Sequence, residues 1–454
     1  MRIDLLVAEI GSTTTVVNAF TGIKEAKPRF LGQGMAATSI AEGDVTLGLD
    51  RARRQLADRL GQASLEAEEV FATSSAAGGL SMTVHGLVTD MTVRAAREAA
   101  LGSGAVLRMV TSGKLRSYDL DQIKAINPRI IMVAGGTNGG ERETALYNFE
   151  ALARILPQRP FLYAGNDDND REIQALAQAL GVKVHITENV YPSLDELNID
   201  PARQVIQDIF EEHIVEAPGM AHIHDRVTGR IMPTPGAVMA MTEKMYEVLG
   251  DLVAIDVGGA TTDVHSVTAG SEALRDFQIA PEPFAKRTVE GDLGVFINRD
   301  HVMAAMTAGE KEALPPSYLE DLAAVPEIPQ DQAQAALIRP LVAACCREAL
   351  VRHAGRMVDV YTARGRRTLV RGRDLTAVRT LLATGGALTR LPDMEALIRQ
   401  VLEIADPDRL FPPQDVRILI DQDYLAASCG VISKAYPQAA VRLLEDSINR
   451  TTGG

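Results

Sequence analysis

The chain has no tryptophan, three cysteines among 454 residues and only 4% aromatic residues. The cysteines are Cys345, Cys346 and Cys429. An odd count with one adjacent pair gives no disulfide framework, so a reducing, cytoplasmic setting is expected. Cys-x-x-Cys and Cys/His metal spacings are missing, and no Gly-x-Ser-x-Gly elbow marks a serine nucleophile. No apolar run reaches the roughly 18 residues of a membrane span, so none is expected. Leu5 to Ile10 is short and interrupted by Glu9, which argues against a signal peptide. A basic excess is also lacking. Lys and Arg number 46 against 60 Asp and Glu, a formal charge of −14, which is the wrong sign for a general nucleic-acid binder. What remains is a chain that is 46% hydrophobic, enough for packed cores and long enough for two or more domains.

Within that chain, residues 252 to 265 read LVAIDVGGATTDVH. Leu252 to Ile255 has the branched, apolar profile of a buried strand. Asp256 stands at its end, followed by Gly258 and Gly259, then Ala260, Thr261, Thr262 and a second acid, Asp263. Two glycines without Cβ let backbone N–H groups approach an anion, and the threonine hydroxyls add donors. Two aspartates suit a divalent cation held partly through water. An ordinary hairpin has the same ingredients, so this segment alone leaves both readings open.

The same grammar opens the chain. Residues 3 to 15 read IDLLVAEIGSTTT: an apolar strand, Glu9, Gly11, then Ser12, Thr13, Thr14 and Thr15 before a second strand. A third element, Leu381 to Leu388 (LLATGGAL), sets Thr384, Gly385 and Gly386 after another apolar run. Two phosphate-type hairpins followed by a late TGG loop resemble the actin, sugar-kinase and heat-shock-chaperone ATPase superfamily. The resemblance implies an α/β, two-domain actin-like (ribonuclease H-like) fold, with ATP in the cleft between the domains and the late glycine loop on the adenosine.

An N-terminal ATPase-like domain is expected over 1–245 and a C-terminal one over 246–454. Strands are expected near 3–10, 14–20 and 28–34, and a helix over 43–60, where Val45, Leu49, Leu56 and Leu60 recur at helical spacing. Residues 130–190 read as βαβ units: strands at 130–134, 161–164 and 182–187, helices at about 141–156 and 169–180. The Gly-rich loop 134–140 precedes the first of these helices and is either an anion cradle or a plain turn. Prolines between 310 and 331 predict a surface loop or linker. A helix over 332–353 should kink or split at Pro340. Residues 364–379 carry six arginines and read as a solvated hairpin, with docking of an acidic partner as the alternative. His222 and His224 read as surface residues, and Cys345 and Cys346 as small packing residues.

Longer strings narrow the resemblance. Residues 233–238 (PTPGAV), 251–266 (DLVAIDVGGATTDVHS), 286–294 (KRTVEGDLG) and 383–388 (ATGGAL) are similar to the MutL-type accessory proteins of glutamate mutase (methylaspartate mutase), which are unrelated to the mismatch-repair protein of that name. AEIGSTTT, with Glu where many superfamily members carry Asp, and AGGTNGG at 134–140 fit as well. The resemblance implies ATP and Mg2+ as cofactors and an adenosylcobalamin-dependent mutase as protein partner, reactivated by exchange of damaged cobalamin. No nucleic-acid or membrane partner is expected, and self-association is left open. In that reading Glu9 and Asp256 hold the metal, and Asp256 or Asp263 orients water. Gly11–Thr14 and Gly258–Thr262 cradle phosphates, and Thr384, Gly385 and Gly386 meet the adenosine. Glu290 and Asp292 either face the cleft or sit in a surface turn. The competing classes are a hydantoinase/oxoprolinase-like amide hydrolase, a small-molecule kinase of the same fold, and a non-catalytic scaffold.

Overall fold

The computed structural model describes residues 3–25, 27–75, 81–214, 219–362, 365–403 and 406–450. Two compact units form. The first contains Met1–Ala77, Pro218–Ile279 and Phe284–Gly454, and the second contains Gly78–Ala217 with Ala280–Pro283. Both phosphate-type hairpins therefore lie in the first unit. Residues 78–217, expected inside an N-terminal domain ending near 245, gather separately.

The first unit holds two five-stranded sheets of one topology. In the first sheet Leu5–Ile10 pairs antiparallel with Thr14–Thr21, which pairs antiparallel with Arg29–Ala37. Glu69–Ser74 then runs parallel to Leu5–Ile10, and Ile231–Pro233 parallel to Glu69–Ser74. In the second sheet Leu252–Val257, Thr262–Val267 and Ala285–Glu290 form the antiparallel meander. Thr380–Thr384 and Arg417–Ile420 complete it in parallel. Numbered by chain order within each sheet, both read 3-2-1-4-5. This duplicated ribonuclease H-like sheet is the actin-like ATPase fold that the hairpins led us to expect.

Burial on both faces explains the apolar runs. Val253, Ile255 and Val257 point into a core shared with the helix Gln332–His353. The alternate residues Leu252 and Ala254 point into a second core, where Leu5, Val7 and Phe20 of the first sheet join Met239, Met241, Cys429 and Leu443. That second core packs the two sheets on the helices Thr234–Leu249, Ala426–Ser433 and Pro437–Ile448. Gly430 is required where two of these helices meet, because a Cβ there would lie 1.9 Å from the Ala237 carbonyl oxygen.

The second unit is a five-stranded sheet, parallel in every pairing. Its order is Val106–Ser112, Ser81–Gly86, Ile130–Val133, Phe161–Tyr163 and Val184–Ile186. The helices Glu143–Ile155 and Asp170–Leu180 fall where the βαβ pattern required.

Three expectations are corrected. Residues 310–331 are mostly exposed, as expected of a surface segment, but they are anchored and not a free loop: the short helix Tyr318–Ala323 buries Tyr318 and Leu322, and Val325 joins the same core. Apolar side chains at near-helical spacing outweigh the prolines there. The helix Gln332–His353 continues through Pro340 instead of splitting. Pro340 follows only two turns of helix, and the helix keeps the packing of Ile338, Leu341 and Val342. The arginine-rich hairpin starts earlier than expected, with Arg356–Thr362 pairing Gly365–Arg371, while Arg373 is buried. Arg364 lies outside the described residues. Among the described residues no helix is long and apolar enough to cross a membrane.

Candidate functional site

The two hairpins are built alike at their turns. Gly11 N–H donates to the Thr14 carbonyl at 3.0 Å, and Gly258 N–H donates to the Thr261 carbonyl at 2.9 Å. The acid two residues earlier is Glu9 in one and Asp256 in the other. Opposite these acids the hairpins differ: Glu9 faces Val16, whereas Asp256 faces Asp263.

The turns come together. A Cβ on Gly259 would lie 2.9 Å from Thr13 Oγ1 and 3.3 Å from its Cγ2. The second turn is pinned from behind by residues 294–298, which begin at the last glycine of the TVEGDLG string. Phe296 and Ile297 N–H both donate to the Gly259 carbonyl at 2.9 Å, and Asn298 Nδ2 donates to the Ala260 carbonyl at 2.7 Å. Gly294 fits flat against Ala260, where a Cβ would come within 2.3 Å. With those carbonyls occupied, the N–H groups of Ser12, Thr13, Gly259 and Ala260 have no protein acceptor among the described residues. Backbone amides gathered in this way are the kind of donor set an anion can use.

The third loop closes over the end of the second hairpin's first strand. Ala387 N–H donates to the Val257 carbonyl at 3.1 Å. Gly385 has φ +98, and a Cβ on it would lie 2.4 Å from Val257 N and 2.5 Å from Asp256 Oδ1. Arg390, five residues on, donates to the Met35 sulfur of the first sheet.

Four carboxyls gather here: Glu9, Asp256, Asp263 and Asp421. Glu9 is 3% exposed. Its Oε1 accepts from Ser428 Oγ at 2.5 Å and Asn18 Nδ2 at 3.2 Å, while its Oε2 is buried without a hydrogen-bond partner. Burial, then the charges of Asp421 and Asp256, push Glu9 up to about 8, against the Ser428 hydrogen bond. Burial and the neighbouring Asp263 likewise push Asp256 up to about 7.

Asp263 is different. Arg287 Nη2 donates to its Oδ1 at 2.9 Å, and both side chains are almost wholly buried. Burial raises Asp263, and the guanidinium opposes that rise. Asp421, which the sequence reading missed, is fully buried and accepts from Thr384 Oγ1, Ser447 Oγ and the N–H groups of Leu425 and Ala426 at 2.6–2.9 Å. Its signal was available: RILID at 417–421 is another apolar strand ending in an acid.

Several expected phosphate or adenosine donors are committed elsewhere. The Thr384 hydroxyl holds Asp421, the Thr262 hydroxyl donates to the Leu293 carbonyl at 2.6 Å, and Ser12 Oγ donates to the Ser75 carbonyl at 3.1 Å. Thr13 and Thr14 hydroxyls lie 3.5 Å apart at the turn. Glu290 and Asp292 are both bound by Arg352 at 2.7 Å, so neither is a free acid. His222 and Asp225 are 3.5 Å apart and exposed. Among the described residues no group of three or more His, Cys, Asp or Glu is set to hold a metal directly.

The sheets and turns define an actin-like ATPase-fold protein. The family described as MutL protein matches residues 5–448, and this chain belongs to it. Protein MutL of Clostridium tetanomorphum is 33% identical over 467 residues, covering 97% of this chain and 98% of that protein. Among solved structures, the diol dehydratase-reactivating factor is 12% identical with a TM-score of 0.37, covering 96% of this chain and 100% of that one. Component A of the Acidaminococcus fermentans (R)-2-hydroxyglutaryl-CoA dehydratase is 10% identical with a TM-score of 0.31, covering 96% and 99%. At such identities and TM-scores neither structure carries the functional reading.

Proposed function

We propose that the protein binds and hydrolyses ATP with magnesium where the two hairpin turns and the Thr384–Gly386 loop converge, and that it uses this cycle to reactivate an adenosylcobalamin-dependent mutase such as glutamate mutase. The observation that carries the nucleotide reading is the approach of Gly259 to Thr13, which brings the free amides of both turns together. The client reading comes from membership of the MutL family. The protein is read as cytoplasmic.

The amides of Ser12, Thr13, Gly259 and Ala260 receive phosphate oxygens as preorganised donors. Gly385 and Gly386 give the adenosine a flat wall. Glu9 and Asp256 fit a divalent cation: Glu9 Oε2 is an orphaned buried acceptor, and the crowded carboxyls repel one another until a cation arrives. With no third acid or imidazole placed as a direct ligand, the two would hold it largely through water. Bound there, magnesium would neutralise charge on the phosphates. Asp256 accepts the proton of the attacking water or orients it. Asp263, tied to Arg287, holds its neighbour's environment in place and is not the base. Ser428 belongs to the helix Ala426–Ser433, which packs against Leu5–Ile10 and Glu69–Ser74 of the first sheet, and its bond holds the Glu9 carboxyl in place.

The test is to inactivate the mutase by turnover or oxygen, supply intact cofactor, and add this protein with ATP–magnesium, with a non-hydrolysable analogue, or without nucleotide. Recovery of isomerisation only with hydrolysable ATP supports the reading. Equal recovery in all three arms removes the reactivation claim.

A further inference from the structure

The arginine-rich ribbon has two unlike faces. Arg356–Thr362 and Gly365–Arg371 pair antiparallel, so opposed residues share a face and alternate pairs switch faces. One face carries Met357 with the buried Val370, then Asp359 with Thr368, then Tyr361 with Arg366. It is self-sufficient: Arg366 pairs with Asp359 at 2.7 Å, and Thr368 Oγ1 donates to Asp359 at 2.9 Å.

The other face carries Arg356 with Arg371, Val358 with Leu369, and Val360 with Arg367. The three arginines are exposed, and the apolar residues between them are half-buried. Among the described residues none of these arginines has an ion-pair partner. Arg356 sits directly opposite Arg371, and Arg409 bridges to Arg356 on the other side. Like charges opposed across strands destabilise a ribbon. A two-stranded ribbon is marginal without something against it. Its base is tied down: Val370 N–H donates to the Phe277 carbonyl at 2.8 Å, and Met357 N–H donates to the Asp408 carbonyl at 2.7 Å. The uncompensated face runs from Arg356 and Arg371 at that base out to Val360 and Arg367.

We propose that this face, Arg356, Val358, Val360, Arg367, Leu369 and Arg371, docks a protein segment that presents an apolar centre flanked by carboxylates. Charge complementarity selects the partner: three unpaired guanidiniums bracket an apolar strip. The half-buried strip of Val358, Val360 and Leu369 between them calls for an apolar counterpart, which a nucleic-acid backbone lacks and a protein segment supplies. The proposal deepens the reading of a macromolecular client and rests on it only for which protein supplies the acids.

The experiment uses the full chain and a fluorescent peptide, Val-Ile-Val flanked on each side by glutamates. The same peptide with lysines, and phosphatidylglycerol vesicles, serve as competing probes. Anisotropy is expected to show salt-sensitive binding of the acidic peptide. Binding should weaken roughly tenfold in an Arg356→Glu/Arg367→Glu/Arg371→Glu variant and part-way in Arg367→Gln alone. The lysine peptide is expected not to bind. Unchanged affinity in the triple variant, no binding to the wild-type chain, or preference for the vesicles would overturn the proposal. The melting shift given by ATP–magnesium is read on the same variants and is expected to be intact. Loss of that shift in the wild-type chain would instead count against the nucleotide reading.

Discussion

Glu9 and Asp256 occupy the same place in two hairpins, and the charge of Asp256 is one of the forces that raises the pKa of Glu9. One carboxyl comes from each sheet of a duplicated fold. Their repulsion is a property of the ligand-free protein, and it is the property that a bound cation would remove.

Glu9→Gln should therefore stabilise the ligand-free protein at neutral pH. A carboxyl whose folded pKa is raised from 4.5 to about 8 contributes stability fully present below pH 4.5 and lost as pH rises through 8. At pH 7 that penalty is on the order of 3 kcal/mol. Thermal melts should show the variant above wild type at pH 7–8 and level with it near pH 4.5, while its response to magnesium disappears. A variant less stable than wild type at pH 8 would contradict the burial argument.

Asp256 and Asp263 should separate function from stability. Asp256→Asn is expected to lower ATP turnover by well over tenfold with little loss of melting temperature. Asp263→Asn removes the buried carboxylate that pairs with Arg287 at 2.9 Å and should destabilise by about 3–5 kcal/mol. Phosphate release and denaturant melts on both variants check the contrast.

Gly259→Val should weaken nucleotide binding by pushing the turns apart, since even a Cβ meets Thr13 Oγ1 at 2.9 Å. Gly385→Ala should disturb the site differently, through strain of about 1–3 kcal/mol at a positive φ and a clash with Val257. Calorimetric titration with ATP–magnesium should register a lower affinity for both, and melts without ligand should register the second more strongly.

Acid should destabilise both units through buried histidines. Burial pulls His85 down to about 3 and His353 well below its ordinary 6.5, so each is neutral when folded. The unfolded chain binds the extra protons. Stability is thus complete above pH 6.5 and falls as pH drops below it, by about 1.4 kcal/mol per pH unit for each histidine still neutral in the folded state, for His85 down to about pH 3. His85→Gln should flatten that slope in melts of the second unit followed by hydrogen exchange; an unchanged slope would refute the assignment.

ATP with magnesium should raise the melting temperature, and chelation should remove most of the gain. At a hundred times the dissociation constant the added stability is roughly 2.7 kcal/mol. Absence of a shift at millimolar ATP would leave the fold standing and remove the nucleotide.

Periodicity and turn chemistry, both local properties, were enough to read the two hairpins, the TGG loop and the βαβ run of 130–190 from the sequence. An apolar run, an acid and a glycine at fixed spacing specify a strand-end turn before anything packs on it. Local pattern could not say that Asp263 is neutralised by Arg287 on the adjacent strand, or that the hydroxyls of Thr262 and Thr384 are taken by Leu293 and Asp421. Nor could it place Ser428 against Glu9 across 419 positions of chain, or gather residues 78–217 into a unit of their own. Those outcomes depend on which buried polar groups find one another when the sheets pack, and a buried group must take whatever partner the tertiary fold brings within hydrogen-bond distance.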